Sequence, residues 1–412
     1  MAFTPRRVVV TGMNGITSLG QDWPTVERGL RARRNGIRAM DEWADIEGLL
    51  TRLGGPVPDF ARPAHYSRKQ TRSMGRVALM ATRTAELALA NAGLLDDPSI
   101  RNGRMGVSYG SCNGSTDATV SFARMYVDRS TRSMTATTYV EMMSHTCAVN
   151  IGLFFGLTGR IIPTASACTS GSQGVGYAYE AIRYGLQDLM LAGGAEELCA
   201  ADSAVFDTLF AASLKNDSPQ LTPRPFDRDR DGLVIGEGAC SLVLEELEHA
   251  QARGATIHAE IVGYGTNSDG AHITQPTAST MQAVMELALR DAGLPASAIG
   301  YVNAHGTATE HGDIAETTAT HAVFGPRMPI SSLKSYFGHT LGACGALESW
   351  LSIEMMNRDW YAPTINLDHL DPRCGELDYI TGAGRVLQNE YVMSNNFAFG
   401  GINTSLIFKR WT

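Results

Sequence analysis

The chain carries little charge for its length. Only 18% of its 412 residues are Asp, Glu, Lys or Arg, and the balance is acidic, −8 at pH 7. That sign provides no basic footprint for phosphates and excludes a general nucleic-acid binder. Long apolar runs are also missing. Stretches such as Ile151-Gly-Leu-Phe-Phe-Gly-Leu157 fall far short of the ~20 residues a membrane-spanning helix needs. Cysteine is sparse and unpaired in pattern: seven residues (112, 147, 168, 199, 240, 344 and 374) with no Cys-x-x-Cys. This fits a reduced compartment better than a disulfide framework or a structural zinc site. No segment is of low complexity. Met1-Ala-Phe-Thr-Pro-Arg-Arg7 runs directly into Val8-Val9-Val10, which leaves no room there for a secretory signal. A cytoplasmic protein is the expectation.

What is present is a regular alternation of short apolar strands and helical segments, which predicts a layered α/β fold. Strands are expected at Arg7–Thr11, Met105–Tyr109, Leu189–Ala195 and Cys240–Glu245, with an Ala-rich helix over Met74–Ala92 and a short helix over Glu246–Gly254. The second part repeats this plan: strands at Ile257–Tyr264, Gly300–Ala304 and Pro329–Leu333, helices over Thr280–Ala292 and Leu341–Met356, and a closing antiparallel pair at Tyr391–Ser394 and Thr404–Phe408. In each part a strand meets a Gly/Ala-rich buried helix, Cys168–Tyr184 and Gly342–Met356. Two duplicated halves, 1–253 and 254–412, are therefore expected. Residues 112–140, rich in Ser, Thr, Met and Arg, read as an irregular or partner-facing insertion.

Cys168 is the most telling residue. Arg160-Ile-Ile-Pro163 leads into Ala165-Ser-Ala-Cys-Thr-Ser-Gly171, followed by the helical stretch Val175–Tyr184. A strand thus delivers one thiol to the start of a helix, where unpaired N–H groups and the helix dipole favour thiolate. Gly171, Ser172, Gly174 and Gly176 are poor helix formers, so they point to close backbone packing. Three later stretches carry polar groups out of apolar strands: Val302-Asn-Ala-His-Gly-Thr-Ala-Thr309, Leu333-Lys-Ser-Tyr-Phe-Gly-His339 ahead of the helix holding Glu348, and Asn395-Asn-Phe-Ala-Phe-Gly-Gly401. His305 and His339 lie at strand ends beside Gly, where backbone can approach a substrate. A Cys at a helix start with two such His residues forms a candidate catalytic set.

These motifs together resemble the β-ketoacyl-acyl carrier protein synthases of the thiolase superfamily. The resemblance covers essentially the whole chain, from Val8-Val-Val-Thr-Gly12 to Ser405-Leu-Ile-Phe-Lys409. It includes Ala192-Gly-Gly-Ala-Glu196, Arg224-Pro-Phe-Asp227, Arg230-Asp-Gly232 and Gly236-Glu-Gly-Ala239. It implies a thiolase-like α-β-α-β-α fold and a decarboxylative condensation between an acyl group on Cys168 and a malonyl thioester. The resemblance places the oxyanion at the backbone N–H groups of Cys168 and Phe399. It gives His305 and His339 the enolate, and Lys334 with Glu348 a supporting charged pair. Thr307 and Thr309 match positions that bind the carrier's pantetheine arm. Phe399, with Gly400 and Gly401, matches the gate of the acyl chamber. Arg68, Lys69 and Arg72 match the surface where an acidic acyl carrier protein docks. Asn303, Glu348 and Asn395 resemble a monovalent-cation site. No other cofactor is implied, and the implied assembly is a homodimer.

Four positions depart from the family pattern. Asn113, beside Cys112, stands in the loop at the far end of the acyl chamber. Thr138 stands where a partner-subunit aromatic often closes it. Leu233 replaces a Phe, and Tyr336-Phe337 replaces a Met-Thr pair. Polar Asn113 and Thr138 would bury poorly against a saturated tail, so an unsaturated, aromatic-ended or otherwise unusual chain is expected, as in specialised polyene or polyketide synthesis. The rival enzyme reading is a CoA-dependent thiolase, which carries a second catalytic Cys near the C-terminal Gly turn; Asn395–Gly401 has none. A non-catalytic chain-length factor lacks the nucleophile. The chain could still be the active half of a heterodimer with one.

Overall fold

The structure is a computed structural model that describes residues 4–412. Its centre is a mixed sheet of eleven strands, in chain order β1 Val8–Ile16, β2 Met105–Gly110, β3 Ile161–Thr164, β4 Leu189–Glu196, β5 Gly238–Glu246, β6 Ala259–Ser268, β7 Ile299–Asn303, β8 Pro329–Ser331, β9 Asp378–Tyr379, β10 Tyr391–Ala398 and β11 Ile402–Arg410. The spatial order is β9-β8-β7-β10-β11-β6-β1-β5-β4-β2-β3. The seam is the short antiparallel pairing of Val8, Val9 and Val10 with Ile261, Glu260 and Ala259. From that seam the order β1-β5-β4-β2-β3 runs antiparallel, antiparallel, parallel, parallel. The order β6-β11-β10-β7-β8 repeats the same sequence of directions.

Helices fill three layers around this sheet. We label four of them: α1 Arg76–Asn91, α2 Ser170–Arg183, α3 Ala278–Ala292 and α4 Cys344–Asn357. Helix α1 packs on β1 and β5, and α3 packs on β6 and β11. Helices α2 and α4 pack against each other and against strands of both flanks. They therefore lie between the two sheet halves, giving five layers. Apart from Glu354 and Asn357, every residue of α4 is buried, as expected of a helix with no solvent face. Small residues permit the approach: a Cβ on Gly345 would lie 2.6 Å from the backbone nitrogen of Ser172, and one on Gly171 would lie 2.8 Å from the carbonyl of Gly342.

Most expected elements stand near their predicted limits, but three strands run four or five residues further, β1 to Ile16, β6 to Ser268 and β10 to Ala398. Leu341–Ala343 forms a 3-10 turn, and α4 begins only at Cys344. The stretch 112–140 is not irregular: it holds the helices Thr116–Asp128 and Thr138–Met142. Its apolar residues Val120, Tyr126, Val127 and Tyr139 are exposed, so the usual one-sided pattern of a core-facing helix is missing. No helix of the described residues is long and apolar enough to cross a membrane.

Candidate active site

Cys168 is set on a strained turn between β3 and α2. The preceding Ala167 has φ +50°, a left-handed conformation uncommon outside Gly. Local hydrogen bonds hold it: Ser170 N–H donates to the Ala167 carbonyl (3.0 Å) and the Thr169 hydroxyl to the Ser166 carbonyl (2.8 Å). The helix starts two residues later than the sequence suggests, so Cys168 precedes it.

His339 Nε2 lies 2.9 Å from Cys168 Sγ, and its Nδ1 accepts from Leu341 N–H at 3.3 Å. A nitrogen that accepts carries no proton, so the ring proton is on Nε2, facing the sulfur. His305 follows the same logic. Its Nδ1 faces two donors, Lys334 Nζ at 3.2 Å and Asn396 Nδ2 at 3.4 Å, which again leaves the proton on Nε2. The two rings meet edge to face, 5.2 Å between centroids. One ring nitrogen from each His and Cys168 Sγ all lie within 4.8 Å of one another, all buried. Burial, then the nearby Lys334 charge, pushes both imidazoles well below their usual pKa, so they are neutral donors. A zinc ion in this set would need both rings to turn their protons onto nitrogens that already accept hydrogen bonds, so the donor pattern does not suit a metal.

Lys334 and Glu348 are fully buried and form an ion pair. Burial opposes the ammonium, but Glu348 outweighs it and the Lys334 pKa is raised. Burial raises the Glu348 carboxyl, with Lys334 and Asn396 pulling it back; Asn396 Nδ2 donates to it at 2.6 Å. Asn395 points elsewhere: both polar atoms of its side chain are buried without a hydrogen-bond partner. The residue of this pair that touches the charged network is Asn396, one position away on the opposite face of β10.

In the resting protein burial opposes the expected thiolate. Burial drives the Cys168 thiol up to about 11, against smaller opposing effects from Lys334 and from the backbone N–H groups of Phe399 and of Cys168 itself. The helix start supplies donors, but desolvation outweighs them. Alkylation of Cys168 by iodoacetamide should therefore rise about tenfold per pH unit between pH 7 and 9. A rate that levels off by pH 8 would contradict a protonated resting thiol.

Two acidic residues escaped the sequence reading. Glu316 and Asp313, on the helix Glu310–Phe324, hold the loop that carries His305. Glu316 accepts from His305 N–H and Gly306 N–H, both at 2.7 Å. Asp313 accepts from Phe226 N–H at 2.7 Å and Ala308 N–H at 3.2 Å. The available signal was their i, i+3 spacing on the helix just after Thr309.

A cavity of about 410 Å³ opens onto Cys168, His305 and His339 and is also lined by Thr307, Thr309, Phe399 and Gly401. The Thr307 and Thr309 hydroxyls are 2.8 Å apart on one wall. Phe399 packs on Phe206, 5.2 Å between centroids, beside Leu233, Leu341 and Cys112. Gly400 and Gly401 have φ of +86° and +71° and turn β10 into β11. Asn113 and Thr138 do not line this cavity. Asn113 Nδ2 donates to Asp202 Oδ1 at 2.9 Å, and the Thr138 hydroxyl accepts from Thr135 N–H at 2.9 Å. Tyr336 and Phe337 are core residues. Arg68, Lys69 and Arg72 are exposed, on or just after the short helix Arg68–Thr71.

The Beta-ketoacyl synthase N-terminal domain matches residues 5–250, and the corresponding C-terminal domain matches residues 258–368. The chain belongs to the beta-ketoacyl synthase family. Among curated relatives, it is 37% identical to a 3-oxoacyl-[acyl-carrier-protein] synthase 2 of Vibrio cholerae, over 98% of this chain and 99% of that protein. It is 36% identical to a 3-oxoacyl-[acyl-carrier-protein] synthase 1 of Escherichia coli, over the same shares. Among solved structures, a beta-ketoacyl synthase from Burkholderia phymatum is 63% identical with a TM-score of 0.98, over 99% of this chain and 100% of that one. The ishigamide ketosynthase/chain length factor is 32% identical with a TM-score of 0.91, over the same shares.

Proposed function

We propose that this protein condenses an acyl group with a malonyl group, both carried as thioesters of acyl carrier protein, releasing carbon dioxide and a 3-oxoacyl product. The observation that carries the reading is the meeting of two neutral imidazoles with the sulfur of Cys168, His339 Nε2 at 2.9 Å and a ring nitrogen of His305 within 4.8 Å. Cys168 gives up its thiol proton and attacks the acyl thioester, the tetrahedral oxyanion lies against the N–H groups of Cys168 and Phe399, and the carrier sulfur leaves with that proton as the thiol. Malonyl thioester then loses carbon dioxide. The electron pair left behind is an enolate, whose oxygen takes hydrogen bonds from His305 and His339. Its carbon attacks the acyl carbon, and the sulfur of Cys168 leaves. Lys334, held by Glu348, donates to His305 Nδ1 and so keeps the proton on Nε2, where the enolate needs it. Thr307 and Thr309 take the pantetheine arm, while Phe399 with Gly400 and Gly401 gates the acyl chamber. Arg68, Lys69 and Arg72 receive the acidic carrier.

A monovalent cation fits near Asn303 and Asn395, whose side-chain oxygens are buried without partners. Glu348 already spends both oxygens on Lys334 and Asn396, so it is the least suited ligand of that set. The mirrored strand order about the β1–β6 seam supports two halves, 1–253 and 254–412, of one plan. With Asn113 and Thr138 turned away from the cavity in the single chain, the case for an unusual acyl chain rests on Cys112 and Leu233 beside Phe399, and on closure of the chamber by a second subunit near Thr138.

Strand β3 lies at the sheet edge with Ile161 exposed, and the helices before it expose Val127, Tyr139 and Leu153. An unpaired edge beside apolar residues favours a partner. We assign that face to a second copy of the chain. Sedimentation of the purified protein should give a dimer, lost in Val127→Glu. A monomeric parent protein would favour the active half of a heterodimer with a chain-length factor instead. The reading of the reaction is tested by incubating the protein with a panel of acyl carrier thioesters and weighing it intact. An acyl mass on the peptide holding Cys168 is expected; a panel that leaves no adduct refutes the assignment.

A further inference from the structure

Glu196, the last residue of β4, is buried and takes no part in the chemistry above. Its Oε2 accepts from Cys112 N–H at 2.8 Å and Gly342 N–H at 3.1 Å. Its Oε1 accepts from Asn113 N–H at 3.2 Å; the Ser111 hydroxyl lies 3.3 Å away and shares its one hydrogen with the Asn113 carbonyl. Three backbone N–H donors from two separate loops thus converge on one carboxyl group, with the shared Ser111 hydroxyl beside them, and the space is tight: a Cβ on Gly342 would lie 2.7 Å from Glu196 Oε2 and 2.8 Å from Cys112 N.

Each loop leads to a different part of the site. Cys112 packs in the apolar cluster of Phe206, Leu233, Leu341 and Phe399, which borders the cavity where an acyl tail would lie. Gly342 follows Leu341, whose N–H donates to His339 Nδ1 and so sets which ring nitrogen faces Cys168. Leu341 itself has φ +45°, a conformation that persists only where its neighbours hold it. The path from the acyl chamber to the catalytic imidazole therefore runs from Cys112 through the Glu196 carboxylate to Gly342, Leu341 and His339.

We propose that Glu196 is a positioning residue that couples the wall of the acyl chamber to His339, so that the length and shape of the bound acyl chain set the placement of the imidazole. The proposal rests on the condensing reaction assigned above. A tail that fills the chamber presses on Phe206, Leu233 and Phe399, and through them on Cys112. Because Glu196 binds both loops at once, the 111–113 segment cannot yield without drawing on the turn at Gly342. A poorly fitting chain is loaded and then turned over slowly, which makes selectivity a property of condensation as well as of entry.

Glu196→Gln keeps the size but turns one oxygen into a donor that faces N–H groups; Ser111→Ala removes a single donor and leaves the carboxylate. The experiment loads each protein with acyl carriers of graded chain length, weighs the Cys168 adduct, and then measures single-turnover condensation with malonyl carrier. Burial lifts the Glu196 carboxyl to about 7, so the rates are compared at about pH 8.5, where it is charged and where losing hydrogen bonds of this kind is worth about tenfold. Loading should therefore be retained, and the ratio of condensation rates between the best and worst chains should fall about tenfold in Glu196→Gln, with a smaller fall in the same direction in Ser111→Ala. Equal slowing for all chains, or an unchanged ratio, overturns the coupling. If Glu196→Gln does not fold, an unchanged ratio in Ser111→Ala overturns it and a reduced ratio supports it. Failure of the parent protein to load any chain would instead refute the reaction assigned above, so the two failures are told apart by the adduct mass.

Discussion

Cys168→Ala takes up no acyl group from any carrier thioester, whereas His339→Ala still loads one and then fails to condense it. The first half follows from chemistry: none of the six other cysteines stands between two Nε2 donors, and Cys112, Cys147, Cys240 and Cys344 are raised well above the usual thiol range by burial. The second half separates the two chemical steps. Loading needs the sulfur and the oxyanion donors, both left in place by the His339 change. Condensation needs an enolate held by two donors, and one of the pair is gone. Loss of a single preorganised donor to a developing oxyanion slows a reaction by about 10²–10³. Intact mass shows the loaded acyl group, and product release from malonyl carrier measures the second step. Condensation at the parental rate in either variant would overturn the roles assigned to these residues.

Lys334→Met lowers stability and condensation together, and a second substitution separates the two effects. Removing the ammonium leaves Glu348 as a buried carboxylate with Asn396 as its one remaining side-chain donor. Breaking a buried ion pair in this way costs about 3–5 kcal/mol. The melting temperature should fall accordingly. Adding Glu348→Gln removes the stranded charge, so the double variant regains most of the lost stability. It does not regain condensation, because His305 Nδ1 loses the nearer, charged Lys334 donor and keeps only the longer contact from Asn396, which holds the ring proton on Nε2 less firmly. A double variant with restored rate would show that Lys334 serves folding alone.

The contrast between Cys168 and Glu196 shows where sequence reading works. The Cys168 turn, the two His strand ends and the small residues of α2 are local patterns: a few consecutive residues decide whether a strand can meet a helix closely, and the order of residues states them. The identity of Asn396 as the partner of Glu348, the turning of Asn113 toward Asp202, and the holding of the His305 loop by Asp313 and Glu316 depend on contacts made across many intervening residues. Alternation on β10 is the clearest case. Asn395 and Asn396 are chemically identical in the sequence, and only the facing of the strand decides which one reaches the ion pair.

The chain by itself determines the layered α/β plan and sets Cys168 and the two imidazoles at the ends of strands, because hydrophobic period, glycine placement and motif spacing are properties of the linear order. The tertiary structure decides the protonation of that site. Whether Cys168 rests as thiol or thiolate, and which nitrogen of each imidazole holds the proton, depends on how completely α2, α4 and the loops after β7 and β8 exclude water and which N–H groups they aim inward. Desolvation acts through space, and its size is set by every layer packed around the sulfur.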